Sequence, residues 1–163
     1  MKLHVLIAED NALVRLTMRE AMEAAGHEVE AVADGEEAMS LVNEKSFDVI
    51  ISDIWMPKAQ GMALFQHVRK HSPTSAVMLV TAHGNVDDAV ECLKAGIDDY
   101  LIKPFDPADL VKRAERLGEC AHLNHQLRAA HSSPASDGSS ATLIGRSQVM
   151  LGLIERIRTV APT

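Results

Sequence analysis

Five times along this chain a short apolar run gives way to a segment with helical period, and that alternation restricts the fold more than any other feature. "LHVLIA" (3–8) has the look of a strand, and "NALVRLTMREAMEAAG" (11–26) follows as a helix. Val14, Met18, Ala21 and Ala25 share one face of that helix, and Gly26 is a natural stop. "EVEAVA" (28–33) predicts a second strand and "DGEEAMSLVNEK" (34–45) a helix opened by acids. "DVIIS" (48–52) is the third strand, followed by the helix "GMALFQHVRKH" (61–71), which ends before Pro73. "SAVMLVTA" (75–82) is the fourth strand. In "NVDDAVECLKAG" (85–96), Val86, Ala89, Val90 and Leu93 form an apolar stripe that stops at Gly96. "DYLIK" (99–103) is the fifth strand, and a long helix opens near Asp106–Pro107 and runs to about His131.

The strands at 3–8, 48–52 and 75–80 have apolar cores with no polar alternation, as strands covered on both faces do. The expected class is therefore α/β, a five-stranded parallel sheet with helices on both faces. Aromatic residues make up only 3% of the chain, so its core must come from Val, Ile, Leu, Met and Ala. The net charge of −7, with no dense basic tract, argues against nucleic acid or an anionic membrane as the main partner. Cys92 and Cys120 fall in helical segments, and free thiols in an intracellular, cytoplasmic protein are the simple expectation. No apolar run approaches the roughly 18 residues of a membrane span.

Composition changes after the fifth helix. Residues 107–131 carry that helix into an extension, and "SSPASDGSSA" (132–141) has the composition of a flexible linker. "TLIGRSQVMLGLIERIRTVAPT" (142–163) begins a new amphipathic pattern and is expected to be the truncated start of a second domain. Residues 1–120 are the expected first domain.

Polar residues concentrate where the strands end. Glu9 and Asp10 follow the first strand, Asp53 the third, Thr81 the fourth, and Lys103 stands at the fifth. In a parallel sheet these ends converge on one rim, the rim at which open α/β sheets bind ligands. Three carboxylates held together repel one another, so cations are needed. Lys103 supplies one, and Mg²⁺, which favours a few carboxylates, waters and a phosphate oxygen, is a natural second. A carboxylate placed against a metal and a lysine is suited to attack phosphorus, because both cations neutralise charge on the transferring group.

The set resembles the receiver domain of bacterial two-component response regulators. The matching stretches are "AEDN" (8–11), "DIWMPKAQG" (53–61), "TAHG" (81–84) and "DDYLIKPF" (98–105), and the resemblance covers residues 1 to about 120. It implies the flavodoxin-like strand order 2-1-3-4-5. It also implies Asp53 as phospho-acceptor and a Mg²⁺ site formed by Glu9, Asp10, Asp53 and the backbone carbonyl of Trp55. Lys103 would contact a phosphate oxygen, with a cis bond to Pro104, and Thr81 and Tyr100 would be the switch pair. The implied donor is a sensor histidine kinase. Three positions depart from the common pattern: Glu9 stands where many relatives have Asp, Trp55 is bulky beside the site, and Gln60 is a weak helix cap.

"LIGRSQVMLGLIERIRTVAPT" is similar to the opening of the AAA+ ATPase domain of sigma-54-dependent activators of the nitrogen-regulatory type. That resemblance implies ATPase and DNA-binding domains and sigma-54 RNA polymerase as partners of a longer protein. The phosphate loop G-x-x-x-x-G-K-[ST] is absent from these 163 residues, so the chain itself is expected not to be an ATPase. Cys120, Leu123, Leu127 and Ala130 recur at three- and four-residue spacing, which predicts a short coiled-coil seam and a homodimer.

Other readings compete. A phosphatase of the haloacid-dehalogenase type also uses a strand-end Asp and Mg²⁺, but it wants an acid two residues on, where Trp55 stands. A flavodoxin-like cofactor binder wants a Gly, Ser and Thr-rich loop after the first strand, where "AEDNAL" is acidic. A dimerisation module on the same fold, with Asp53 a structural partner of Lys103, is the third. His67 and His71, four apart on a helix, have no carboxylate or thiol at helical spacing beside them and are read as solvated side chains.

Overall fold

The structure, a computed structural model, describes residues 1–82 and 86–131. The expected linker at 132–141 and the expected domain start at 142–163 lie outside the described residues, as do His83 and Gly84 of the third motif. In chain order the elements are β1 (His4–Ala8), α1 (Ala12–Ala24), β2 (Glu28–Val32), α2 (Gly35–Glu44) and β3 (Val49–Asp53). They continue with α3 (Gly61–His71), β4 (Ala76–Thr81), α4 (Val86–Lys94), β5 (Asp99–Ile102) and α5 (Pro107–His131). All strand pairings are parallel, in the order β2-β1-β3-β4-β5 expected from the sequence.

Register explains why the central strands are apolar throughout. Leu6, Ile50 and Val77 are neighbours across β1, β3 and β4. They face a core that includes Ala38 and Val42 of α2, Leu64, Phe65 and Val68 of α3, and Cys92 of α4. The alternate rows, Val5–Val49–Ala76 and Ile7–Ile51–Met78, face Met18 and Met22 of α1 and Leu110, Ala114 and Leu117 of α5. Each fully buried Val, Leu or Ile side chain contributes roughly 1.5–3 kcal/mol against leaving it in water. With side chains buried on both faces, a one-residue slip of β1, β3 or β4 would turn every one of them to the wrong core.

Helix ends follow the capping chemistry of the sequence. Asn11 Oδ1 accepts from the backbone N–H groups of Leu13 and Val14 at 3.0 and 3.2 Å, and Asp34 Oδ1 from that of Glu37 at 2.9 Å. Gly26 and Gly96 take φ of 91° and 93°. Each passes its N–H to a carbonyl three residues back (Glu23, Leu93), while the next residue reaches five back (Met22, Cys92). Gln60 makes no side-chain cap bond, as its residue type suggests. One detail differs from the periodicity: Ala25 is exposed, and Met22 joins Met18 in the core instead. The helix closes at Ala24, so Ala25 lies past the last turn that touches the sheet.

α5 has two parts. Leu110, Ala114 and Leu117 are buried against the sheet, and Gly118 is in contact with the Leu3 side chain. Beyond them Leu123 and Leu127 are 58% and 59% exposed. No helix among the described residues is long and apolar enough to cross a membrane. Neither Cys92 nor Cys120 is in a disulfide.

Candidate functional site

The C-terminal ends of β1, β3, β4 and β5 bring the residues expected there together. Glu9 is fully buried and Asp53 nearly so, while Asp10 is exposed. Oxygens of these three carboxylates all lie within 4.8 Å of one another. Lys103 reaches between two of them, with Nζ donating to Glu9 Oε2 and to Asp53 Oδ2, each at 2.6 Å. The Lys103–Pro104 bond is cis, as expected.

Backbone groups fix the orientation of the acids. The Trp55 N–H donates to Asp53 Oδ1 at 3.0 Å, so both oxygens of Asp53 are held, one by an amide and one by an ammonium. The Asn11 N–H approaches Glu9 Oε1 at 3.3 Å. Arg15, on the first turn of α1, donates Nη1 to the carbonyls of Glu9 (2.6 Å) and Asp10 (3.2 Å) and so holds the loop that carries both acids. Sequence reasoning missed Arg15. Its position on the polar side of α1 gives no signal, since only the folded loop brings those carbonyls within its reach.

Two glycines permit the loops to close. A Cβ on Gly61 would collide with the carbonyl oxygen of Asp53, so the start of α3 approaches β3 only with glycine there. Gly35 meets the Ala59 carbonyl in the same way. Between them Lys58 adopts φ of 66°, a conformation unusual for a lysine, and its ammonium binds Asp34 Oδ2 at 2.7 Å. These contacts tie the β3–α3 loop to the start of α2.

Electrostatics at the rim are unbalanced. Burial pushes the Glu9 carboxyl above its ordinary pKa; the hydrogen bond and charge of Lys103 oppose this, and the Asp53 charge adds to it. For Lys103, burial pulls the ammonium down, yet the hydrogen bonds and charges of Asp53 and Glu9 outweigh it and leave the pKa raised. One ammonium is therefore shared by two buried acids with a third beside them. The donor set is oxygen only, negative in excess and compact, which suits a hard dication such as Mg²⁺ and not a soft metal.

Thr81 is buried at the end of β4, where its carbonyl accepts the Lys103 N–H at 2.7 Å. Alternation along β4 places Thr81 on the same face as Leu79, whose register partner is Tyr100. Tyr100 packs, partly buried, against the core on the α2, α3 and α4 side. The two expected switch residues are thus diagonal neighbours on adjacent strands. Trp55 is 55% exposed and stands at the mouth of the site.

Comparison with known proteins agrees with this fold. The sequence profile of the response regulator receiver domain matches residues 5–115. The chain is 40% identical, over 79% of its length, to a probable transcriptional regulator, ycf27, of Guillardia theta, and covers 48% of that protein. It is 30% identical over 99% of its length to the transcriptional regulatory protein ZraR of Salmonella typhimurium, covering 36% of it. The chain thus spans half or less of the curated relatives it matches. Among solved structures, that of NtrX from Brucella abortus in complex with ATP aligns with a TM-score of 0.75 at 27% identity, over 100% of this chain and 35% of that one.

Proposed function

The chain belongs to the response regulator receiver domain family, and from that premise we propose that it is a phosphorylation-dependent signalling switch with Asp53 as the phospho-acceptor. The observation that carries this is the Lys103 ammonium set between Glu9 and Asp53, with the Asp10 carboxylate alongside. A sensor histidine kinase is the donor. An Asp53 oxygen forms the new bond to phosphorus as the P–N bond of the phosphohistidine breaks, and the imidazole leaves to be reprotonated by solvent. Glu9, Asp10, Asp53 and the backbone carbonyl of Trp55 would hold Mg²⁺, which when bound would supply charge neutralisation at the transferring group.

Lys103, already at Asp53, exchanges one of its carboxylate contacts for a phosphate oxygen. The phosphoryl group brings about −1.5 to −2 charges and three acceptor oxygens. Thr81 hydrogen-bonds one of them, and Tyr100 moves with it, so that the surface of α4, β5 and α5 changes population between two arrangements. The exposed Leu123 and Leu127 support a homodimer built along the extension of α5.

In the longer protein this switch regulates a cytoplasmic sigma-54-dependent activator, with an ATPase and a DNA-binding domain acting on sigma-54 RNA polymerase. The match of 99% of this chain to ZraR, of which it covers 36%, and the ATP bound to NtrX support that assignment. The chain itself is a switch, not an ATPase.

The test is intact mass after incubation with acetyl phosphate, with and without Mg²⁺, beside Asp53→Asn. A Mg²⁺-dependent gain of one phosphoryl group, lost in the variant, is expected. Failure with both acetyl phosphate and a phosphorylated histidine kinase would return Asp53 to a structural role.

A further inference from the structure

β1 ends at Ala8 and α1 begins at Ala12, and between them the chain carries Glu9 and Asp10. Neighbouring residues of an extended strand point to opposite faces. Here two consecutive carboxylates, with that of Asp53, bring oxygens within 4.8 Å of one another. The chain therefore leaves the extended form at the Glu9–Asp10 peptide, and it must be held there against the repulsion of three acids.

The main chain does little of that holding. The Glu9 N–H makes the last bond to β2, at 3.1 Å from the Val32 carbonyl, and the Arg15 N–H makes the first helical bond, at 2.9 Å from that of Asn11. The Glu9 and Asp10 carbonyls fall between these two bonds. No backbone N–H among the described residues donates to either. Their shared donor is the Arg15 side chain, with Nη1 at 2.6 Å from the Glu9 oxygen and 3.2 Å from that of Asp10.

Helix geometry delivers that side chain. Asn11 caps α1 through the N–H groups of Leu13 and Val14, which fixes where the helix starts. Cα–Cβ bonds tilt towards the helix N-terminus, so a residue of the first turn reaches back over the loop before it. Arg15 is half-buried in this position. Both of its bonds go to main-chain oxygens, and among the described residues it forms no ion pair with Glu9, Asp10 or Asp53.

We propose that Arg15 is a positioning residue for the cation site of the rim: it presets the Glu9 and Asp10 carboxylates through their shared peptide and so raises the affinity of the site for Mg²⁺. The proposal rests on the reading of those two acids as holding the metal. The effect is opposite in sign to that of the Arg15 charge. A guanidinium near a cation site repels the cation, so charge alone predicts tighter Mg²⁺ binding once Arg15 is removed. Positioning predicts weaker binding, because outer groups that orient metal-holding side chains are worth about ten- to hundredfold in affinity.

The experiment is a Mg²⁺ titration of the whole chain without phosphodonor, read from the emission of Trp55, the one tryptophan of the chain. A Mn²⁺ titration, read from the spin-resonance signal of the free ion, is an independent measure. Arg15→Met should weaken both by about tenfold. Arg15→Gln, too short to span both carbonyls, should weaken them in the same direction and serves where Arg15→Met does not fold. Arg15→Lys, which restores a donor of similar reach, should recover most of the loss. Arg19→Met removes the same charge one turn further along α1, from a pair with Glu23, and should change neither constant by more than about twofold. Unchanged or tighter binding in Arg15→Met or Arg15→Gln, with circular dichroism showing a folded chain, would overturn the role of Arg15 and leave the switch standing. Absence of Mg²⁺ and Mn²⁺ binding by wild type would overturn the metal reading of the rim, and the role of Arg15 with it.

Discussion

At the C-terminal end of the sheet three carboxylates stand around the Lys103 ammonium, whereas at the N-terminal end the acids have partners of their own. Asp48 accepts the His4 N–H at 2.8 Å. Asp98 accepts the Val77 N–H at 2.7 Å and binds Arg69 at 2.5 Å, while Arg69 also holds the Ser75 carbonyl. Those acids satisfy strand-starting amides and staple neighbouring elements. The acids of the other rim concentrate charge beyond what the fold needs, and Glu9 does so while fully buried. A carboxylate that serves the fold is matched within it; the surplus at the other rim is the charge balance that suits an added cation.

The largest expected effect comes from removing the shared cation. Lys103→Met should leave Glu9 and Asp53 uncompensated and destabilise the Mg²⁺-free protein by about 3 kcal/mol, as breaking buried ion pairs does. Added Mg²⁺ should restore much of that, read from urea unfolding midpoints. If Mg²⁺ restores nothing, the rim is a structural ion network like its counterpart. Asp98→Ala should cost about 2 kcal/mol, from one charged hydrogen bond and an amide left without an acceptor. Mg²⁺ should not alter that loss, and any rescue would erase the distinction between the ends.

The smallest effect is in pH. The Glu9 pKa is raised by burial, so its contribution to stability is present below the ordinary carboxylate range and lost as pH rises through the folded value. Glu30, bonded by Lys45 and His4, has its pKa lowered, chiefly by the Lys45 hydrogen bond. Its contribution is present above the ordinary range and lost as pH falls through the folded value. Unfolding midpoints without Mg²⁺ should therefore lose their decline on the rising-pH side in Glu9→Gln, and their decline on the falling-pH side in Glu30→Gln. The same slope change in both variants would contradict the opposite signs.

Much of this was legible in the residues. Strand cores such as Val49–Ile51 and Val77–Val80 have no alternation because both sides are covered, so the apolar run alone announced a parallel sheet. Asp53 and Lys103 were found because strand ends in such a sheet converge. Three features were not legible. Arg15 acts on backbone carbonyls, which leave no trace in sequence. Lys58 takes a left-handed conformation without the glycine that would have advertised it. The His67 ring is held by Asn43, which periodicity places only on another helix. In each case the deciding partner is set by tertiary approach, not by spacing along the chain.

The two-part character of α5 has a mechanical consequence. From Ala121, still packed against the core beside Leu117, to His131 the helix advances roughly 15 Å at about 1.5 Å per residue. A continuous helix is stiff over that length, so it works as a lever with its fulcrum at the sheet. A tilt of about 8° at the base carries the tip by about 2 Å. Rearrangements too small to notice around β5 therefore arrive at Leu127 as displacements large enough to change which side chains meet.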